Sequence, residues 1–192
     1  MKHPVPIAWV LVCLVSSLHA EIRTAGKVTI NKIAPQEKAL EFEVVVPASA
    51  HDVWLAMSTA DGLKTWLTPN AVVDLRPGGD WLAMFPGAAP GGGTIVDFTP
   101  EQRLALRAMA PEKFPTVRAE RTLAVFTLEA IDDHTTRVRL RQTGWKSGAE
   151  WDQAYDYLAD GNAQLLNTLW YRFAKGPIDW GKVLARTGPK AQ

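Results

Sequence analysis

The stretch from Trp151 to Phe173 limits the fold most sharply, because it reads as a long amphipathic helix with one polar residue set into its apolar stripe. Trp151, Ala154, Tyr155, Leu158, Leu165, Leu166, Leu169, Trp170 and Phe173 follow the i, i+3, i+4, i+7 recurrence that gathers side chains on one helical face. At about 100° per residue, Asn162 points in nearly the same direction as Trp151, Leu158 and Leu169. A buried amide without partners costs roughly 1–3 kcal/mol. Asn162 therefore faces a polar core partner, a water or a ligand.

The N-terminus is read separately from the fold. Lys2 and His3 precede the apolar run Val5 to Val15, and Ser16-Ser17-Leu18-His19-Ala20 follows; this is the layout of a secretory signal peptide cleaved after Ala20. The run is shorter than the roughly 17–25 residues of a spanning helix, and Pro4 and Pro6 lie at its start. Val12 stands where a lipoprotein site before Cys13 needs a small residue. The expected product is an exported chain, periplasmic or secreted, with no integral membrane segment. Cys13 is the only cysteine, so the mature protein has neither thiol nor disulfide and depends on a core for stability. Of 21 Lys and Arg, Lys2 leaves with the leader, and the remainder balance the 20 Asp and Glu. A formally neutral chain is a poor partner for nucleic acid or an anionic membrane.

Residues 21–36 are polar apart from Val28-Thr29-Ile30 and read as an edge segment or arm. Leu40, Phe42, Val44 and Val46 then alternate with Glu41, Glu43 and Val45, the period-two pattern of a half-buried strand closed by Pro47. Ser49 and Asp52 form a capping-box variant ahead of a helix with Val53, Trp54 and Met57 on its apolar face. Asp61-Gly62 should interrupt that helix, and a second short one, Leu63 to Leu67, should end before Pro69. Six strands are expected next: Ala71 to Arg76, Asp80 to Phe85, Thr94 to Thr99, Arg103 to Met109, Arg121 to Ile131 and Thr135 to Thr143. Pro77-Gly78-Gly79 and Asp132-Asp133-His134 mark hairpin turns, Pro86 to Gly93 reads as a loop without regular structure, and Gly91-Gly92-Gly93 at its end as a flexible lid or a plain linker. The helix runs from about Glu150 to Lys175, Gly176-Pro177 stops it, Trp180 pins the tail, and Arg186 to Gln192 frays. An antiparallel sheet leaves one apolar face to cover, and this helix is the element able to cover it.

Several of these residues together resemble the SRPBCC (START-like, helix-grip) superfamily. They are Val46-Pro47-Ala48 leading to Val53-Trp54, the Gly78-Gly79 turn, Phe98-Thr99-Pro100 before Arg103-Leu104, Thr136-Arg137-Val138 running to Thr143-Gly144-Trp145, and the final long helix. The chain is most similar to the branch named for the activator of heat-shock-protein ATPase. The resemblance implies an α+β helix-grip fold, with a curved antiparallel sheet of about seven strands wrapped around the C-terminal helix. Two short helices would follow the first strand, and an apolar cavity would lie between sheet and helix. The domain would span residues 37–181, with a tail over 182–192. Many members carry Gly-Trp where this chain has Gly161-Asn162.

No catalytic or metal-binding constellation is legible. After the leader only His51 and His134 remain and no cysteine, too few for a triad or a zinc site. Gly91-Gly92-Gly93 precedes a strand rather than a helix, so it is no phosphate loop. No cofactor is implied. Arg137, Arg139 and Arg141, like Arg103 and Arg107, alternate with apolar residues and should lie on the outer sheet face. By the same parity Gln142 faces the helix with Val138 and Leu140. Gln142 and Asn162 then either satisfy each other as a core pair or orient a ligand's polar end. The candidate binding set is Trp54, Met57, Trp66, Trp81, Phe85, Phe98, Phe126, Gln142, Trp145, Tyr155, Asn162 and Leu166, a subset of which would line the cavity.

These features favour an exported, non-enzymatic domain holding a small hydrophobic or amphipathic molecule. A protein-interaction or chaperone-regulator role is the alternative, and the family's named role sits poorly with export. A hydrolase or cyclase using cavity carboxylates is a third reading that fold alone cannot support.

Overall fold

The computed structural model describes residues 21–33 and 37–187, so the expected leader and the last five residues of the tail lie outside the described residues. The strands are β1 (Glu21–Ala25), β2 (Val28–Ile33), β3 (Ala39–Val46), β4 (Asn70–Val73), β5 (Asp80–Met84), β6 (Gly91–Thr99), β7 (Arg103–Met109), β8 (Thr122–Asp132) and β9 (Thr135–Thr143). The helices are α1 (Ala50–Ser58), α2 (Ala60–Lys64), α3 (Pro115–Glu120), α4 (Ala149–Lys175) and α5 (Trp180–Thr187). All strands pair antiparallel in one sheet ordered β1-β2-β3-β9-β8-β7-β6-β5-β4. This is the helix-grip arrangement, α4 lying against the sheet with two short helices after β3.

The sheet has nine strands rather than about seven, and the two extra ones lie in the segment read as an arm. Val28 and Ile30 are fully buried and Ile30 pairs with Phe42. Two apolar residues in a polar stretch are a faint local signal, but Asn167 of α4 fixes the turn. Its Oδ1 accepts from Lys27 N at 2.9 Å and its Nδ2 donates to Ala25 O at 2.6 Å. Asp152, Asp156 and Asp160 recur every four residues along α4 and meet Lys38, Lys32 and Arg23. Exposed pairs of this kind are each worth about 0–1 kcal/mol, so they select the side of the sheet on which α4 settles more than they stabilise it. α4 approaches the sheet most closely over β1 to β3.

Three local expectations need correction. The break between the short helices falls at Thr59, which ends α1 and caps α2 by accepting from Gly62 N at 2.9 Å. Gly62 is inside α2, where a Cβ would lie 2.1 Å from Leu55 O; it is glycine because two helix backbones meet there, and it is no breaker. Gly91-Gly92-Gly93 begins β6 and is neither lid nor linker: a Cβ on Gly93 would stand 2.3 Å from Arg107 O, so only glycine lets β6 lie this close to β7. The segment between β7 and β8, given no element in the sequence reading, contains α3, whose open N-terminus is capped from a distance by Glu150, accepting from Thr116 N, Thr116 Oγ1 and Val117 N. Burial opposes ionisation of Glu150, but these bonds outweigh it and its pKa is lowered.

Ser49 caps α1 as expected, its Oγ accepting from Asp52 N at 3.1 Å. The outer-face arginines form an ion-pair ladder, Arg137 and Arg139 each bridging Glu43 and Glu129, with Arg141 on Glu41 and Glu37. Trp180 opens α5, donates to Lys64 O and meets Phe85 edge-on at 5.8 Å.

Candidate functional site

Side chains on α4 stand off the β5 to β8 half of the sheet because the strands there carry small residues. Ala83, Gly91, Gly92, Ala108 and Ala124 present little volume toward Leu158, Asn162 and Leu165, and a chamber of about 210 Å³ remains between them. Trp81, Phe126 and Leu140 form its walls and Gln142 its polar point. None of the residues lining it is ionisable. Ala83, Gly91, Gly92, Met109, Leu158, Asn162 and Leu165 also line an outer vestibule of about 550 Å³, which adds Phe85, Tyr157, Glu112 and Arg118. Asn162 therefore stands on the border between the two compartments.

The polar groups form one chain. Asn162 Nδ2 donates to Gln142 Oε1 at 2.7 Å, and Gln142 Nε2 donates to Thr122 Oγ1 at 2.7 Å. Gln142 and Thr122 are buried, whereas Asn162 is only half-buried. The core-pair expectation is met, and Asn162 still borders the cavity. At the vestibule rim the Arg118 guanidinium donates to Ala110 O at 2.7 Å and Pro90 O at 2.9 Å, clamping the β5–β6 loop to the chain after β7.

Of the twelve residues singled out in the sequence, Trp81, Phe126, Gln142 and Asn162 line the chamber and Phe85 the vestibule. The other seven lie in the surrounding core, each for a visible reason. Trp54 packs on Phe98 at 6.1 Å between centroids. Trp66 is fully buried and donates Nε1–H to Ala56 O at 2.9 Å, while Trp81 Nε1 donates to Met57 O at 2.7 Å. Two indoles thus satisfy carbonyls in the last turn of α1 that have no helical partner. Trp145 donates to Gln142 O and meets both Trp151 and Tyr155 edge-on. The Tyr155 hydroxyl donates to Ala39 O at 2.7 Å, and Met57 and Leu166 have no exposed surface. Reading aromatics as cavity wall missed the residues that make the cavity, which are small. The signal was present in Ala83, Gly91, Gly92, Ala108 and Ala124, but it acquires meaning only when the strands are placed side by side.

A second depression of about 550 Å³ lies on the outer sheet face around Glu41, Glu43, Arg139 and Arg141. Its charged groups are engaged with one another. Among the described residues no three His, Cys, Asp or Glu converge as metal ligands, and no helix is long and apolar enough to cross a membrane.

His51 pairs with Glu101 at 2.7 Å, joining α1 to the β6–β7 turn. That hydrogen bond raises the His51 pKa above its ordinary 6.5. A raised pKa makes the pair stabilising below the unfolded value and removes that support as pH rises through the folded value. A proton-detected titration of His51 is expected to show this elevation, and Glu101→Gln to bring it back toward the ordinary value. An unchanged midpoint in the variant would refute the pairing.

Residues 47–171 match the family model described as Activator of Hsp90 ATPase homolog 1-like protein. The chain belongs to this family. Its members in the SRPBCC/START-like superfamily share the sheet-and-helix architecture described above. The Aha1 dimer from Colwellia psychrerythraea is similar at 20% identity and a TM-score of 0.58, covering 72% of this chain and 97% of that one. A protein from Mesorhizobium loti matches at 16% identity and 0.61, covering 73% and 100%. The AHSA1-like protein from Rhizobium etli matches at 22% and 0.54, covering 74% and 86%. Identities this low establish the fold alone. No curated protein matches the chain.

Proposed function

We propose that this AHSA1-like domain is an exported binding protein that holds a small hydrophobic or amphipathic molecule between α4 and the β5–β8 half of the sheet. The observation carrying the reading is the uncharged chamber of about 210 Å³ that opens, past Asn162, into the larger vestibule. Apolar walls with a few placed polar groups are the usual make-up of a small-molecule site. A chamber walled by Trp81, Phe126, Leu106 and Leu140 releases poorly solvated water when an apolar body enters. The vestibule, with Glu112 and Arg118 at its rim, accommodates a more polar end. Export rests on Lys2, the apolar run and Ala20.

Native mass spectrometry of the protein recovered from its own host tests both parts. The expected species begins at Glu21 and carries a non-covalently bound apolar molecule, which Ala108→Phe, by filling the chamber, abolishes while circular dichroism stays native. Full-length protein retained in the cytoplasm would overturn export. Wild-type protein that carries nothing and binds no apolar probe would overturn the binding role.

A further inference from the structure

The Asn162–Gln142–Thr122 chain has a property that a simple core pair lacks: it can run in either direction. As described it runs outward to inward, Asn162 Nδ2 to Gln142 Oε1 and Gln142 Nε2 to Thr122 Oγ1. In that sense Thr122 only accepts, and its hydroxyl proton finds no acceptor among the described residues. Asn162 Oδ1 likewise receives no hydrogen bond from a described residue, and Asn162 borders the chamber. The oxygen and nitrogen ends of a carboxamide have nearly the same shape, and a hydroxyl both donates and accepts. Rotating both amides by half a turn lets the Thr122 hydroxyl donate to Gln142 Oε1, and Gln142 Nε2 donate to Asn162 Oδ1. All links survive, the idle Thr122 proton is used, and the free group of Asn162, at the border of chamber and vestibule, changes from its oxygen to its amide protons.

We infer that the inner chamber takes an uncharged ligand with one hydrogen-bonding group and accepts either a pure donor or a pure acceptor, because the buried Thr122 hydroxyl lets the carboxamide relay reverse its polarity. This rests on the binding role above. Charge is excluded because no ionisable group lines the chamber to compensate it. A volume of about 210 Å³ limits the buried part to on the order of ten non-hydrogen atoms at interior packing density.

Four probes of equal size separate the outcomes: naphthalene with no hydrogen-bonding group, 3-methylindole as pure donor, 4-methylacetophenone as pure acceptor and 4-methylbenzoate as anion. Calorimetric titration of the purified protein is expected to show donor and acceptor each binding more tightly than naphthalene, by up to about tenfold, the worth of one hydrogen bond. 4-Methylbenzoate should bind weakest. Thr122→Val, which removes the hydroxyl that serves both directions, is expected to cost at least one of the two neutral polar probes its advantage over naphthalene, whereas Thr122→Ser should keep both. An advantage over naphthalene for only one of the two neutral polar probes, or for neither, would overturn the reversible relay while leaving the cavity as a binding site. Tightest binding of the anion would overturn the neutral-ligand class. Failure of all four to bind would instead remove the binding role on which the inference stands.

Discussion

Trp81→Ala is expected to lower the free energy of unfolding by about 3–5 kcal/mol, the range for truncating a large buried aromatic. Trp81 is 3% exposed, walls the chamber, and supplies the N–H that satisfies the Met57 carbonyl at the end of α1. Truncation removes apolar burial, merges the side chain's volume with the existing chamber and leaves that carbonyl without its donor. Trp81→Phe separates these effects. A six-membered ring stays, while the pyrrole part goes with its hydrogen bond, so a smaller loss of about 1–3 kcal/mol is expected. Urea denaturation followed by far-ultraviolet circular dichroism measures both, and a Trp81→Ala loss under 1 kcal/mol would show that the indole does not hold β5 to α1. A ligand occupying the chamber should also lose affinity in Trp81→Ala, because the enlarged space no longer encloses it.

The second large effect concerns the polar chain. Asn162→Leu is expected to cost about 1–3 kcal/mol, because the buried Gln142 amide loses its partner on α4. From the helix pattern alone, a leucine there would be neutral or stabilising in a core role; the bond to Gln142 reverses that expectation. Gln142→Met should be costly for the same reason, as it strands Thr122 and half-buried Asn162. The double variant should cost less than the two single changes added together, with a coupling of about 0.5–3 kcal/mol. Additive losses in chemical denaturation would mean that the two amides act independently. The same variants separate stability from binding: if Asn162 orients a ligand, Asn162→Leu weakens polar probes while apolar ones retain their affinity.

The wider fold was legible because its signals are local and periodic. The alternation from Leu40 to Val46 gave β3, the stripe from Trp151 to Phe173 gave α4, and Ser49 with Asp52 marked the start of α1. Parity placed Gln142 on the same face as Val138 and Leu140, and the helical wheel turned Asn162 toward that face, so their contact followed from two independent periodicities. Elements held by distant partners were not legible. β1 and β2 depend on Asn167 and on pairing with β3, and α3 depends on Glu150. The glycines at 62 and 91–93 looked like breakers, although close backbone approach is what requires Gly62 and Gly93.

From the sequence alone came the elements with strong periodicity, the helix-facing side of each strand, the resemblance to the helix-grip architecture and the two carboxamides in the apolar interior. Each follows from residue identity and spacing along one segment. The tertiary structure decided which large aromatics are core and which are wall: Trp66 and Tyr155 are buried against the carbonyls of Ala56 and Ala39, and Trp145 against Trp151 and Tyr155, whereas Trp81, bonded to Met57 O, also borders the chamber. It also decided where the cavity lies. A cavity is volume left over where small side chains on neighbouring strands meet a helix that does not descend to fill the space, and that depends on the register between strands.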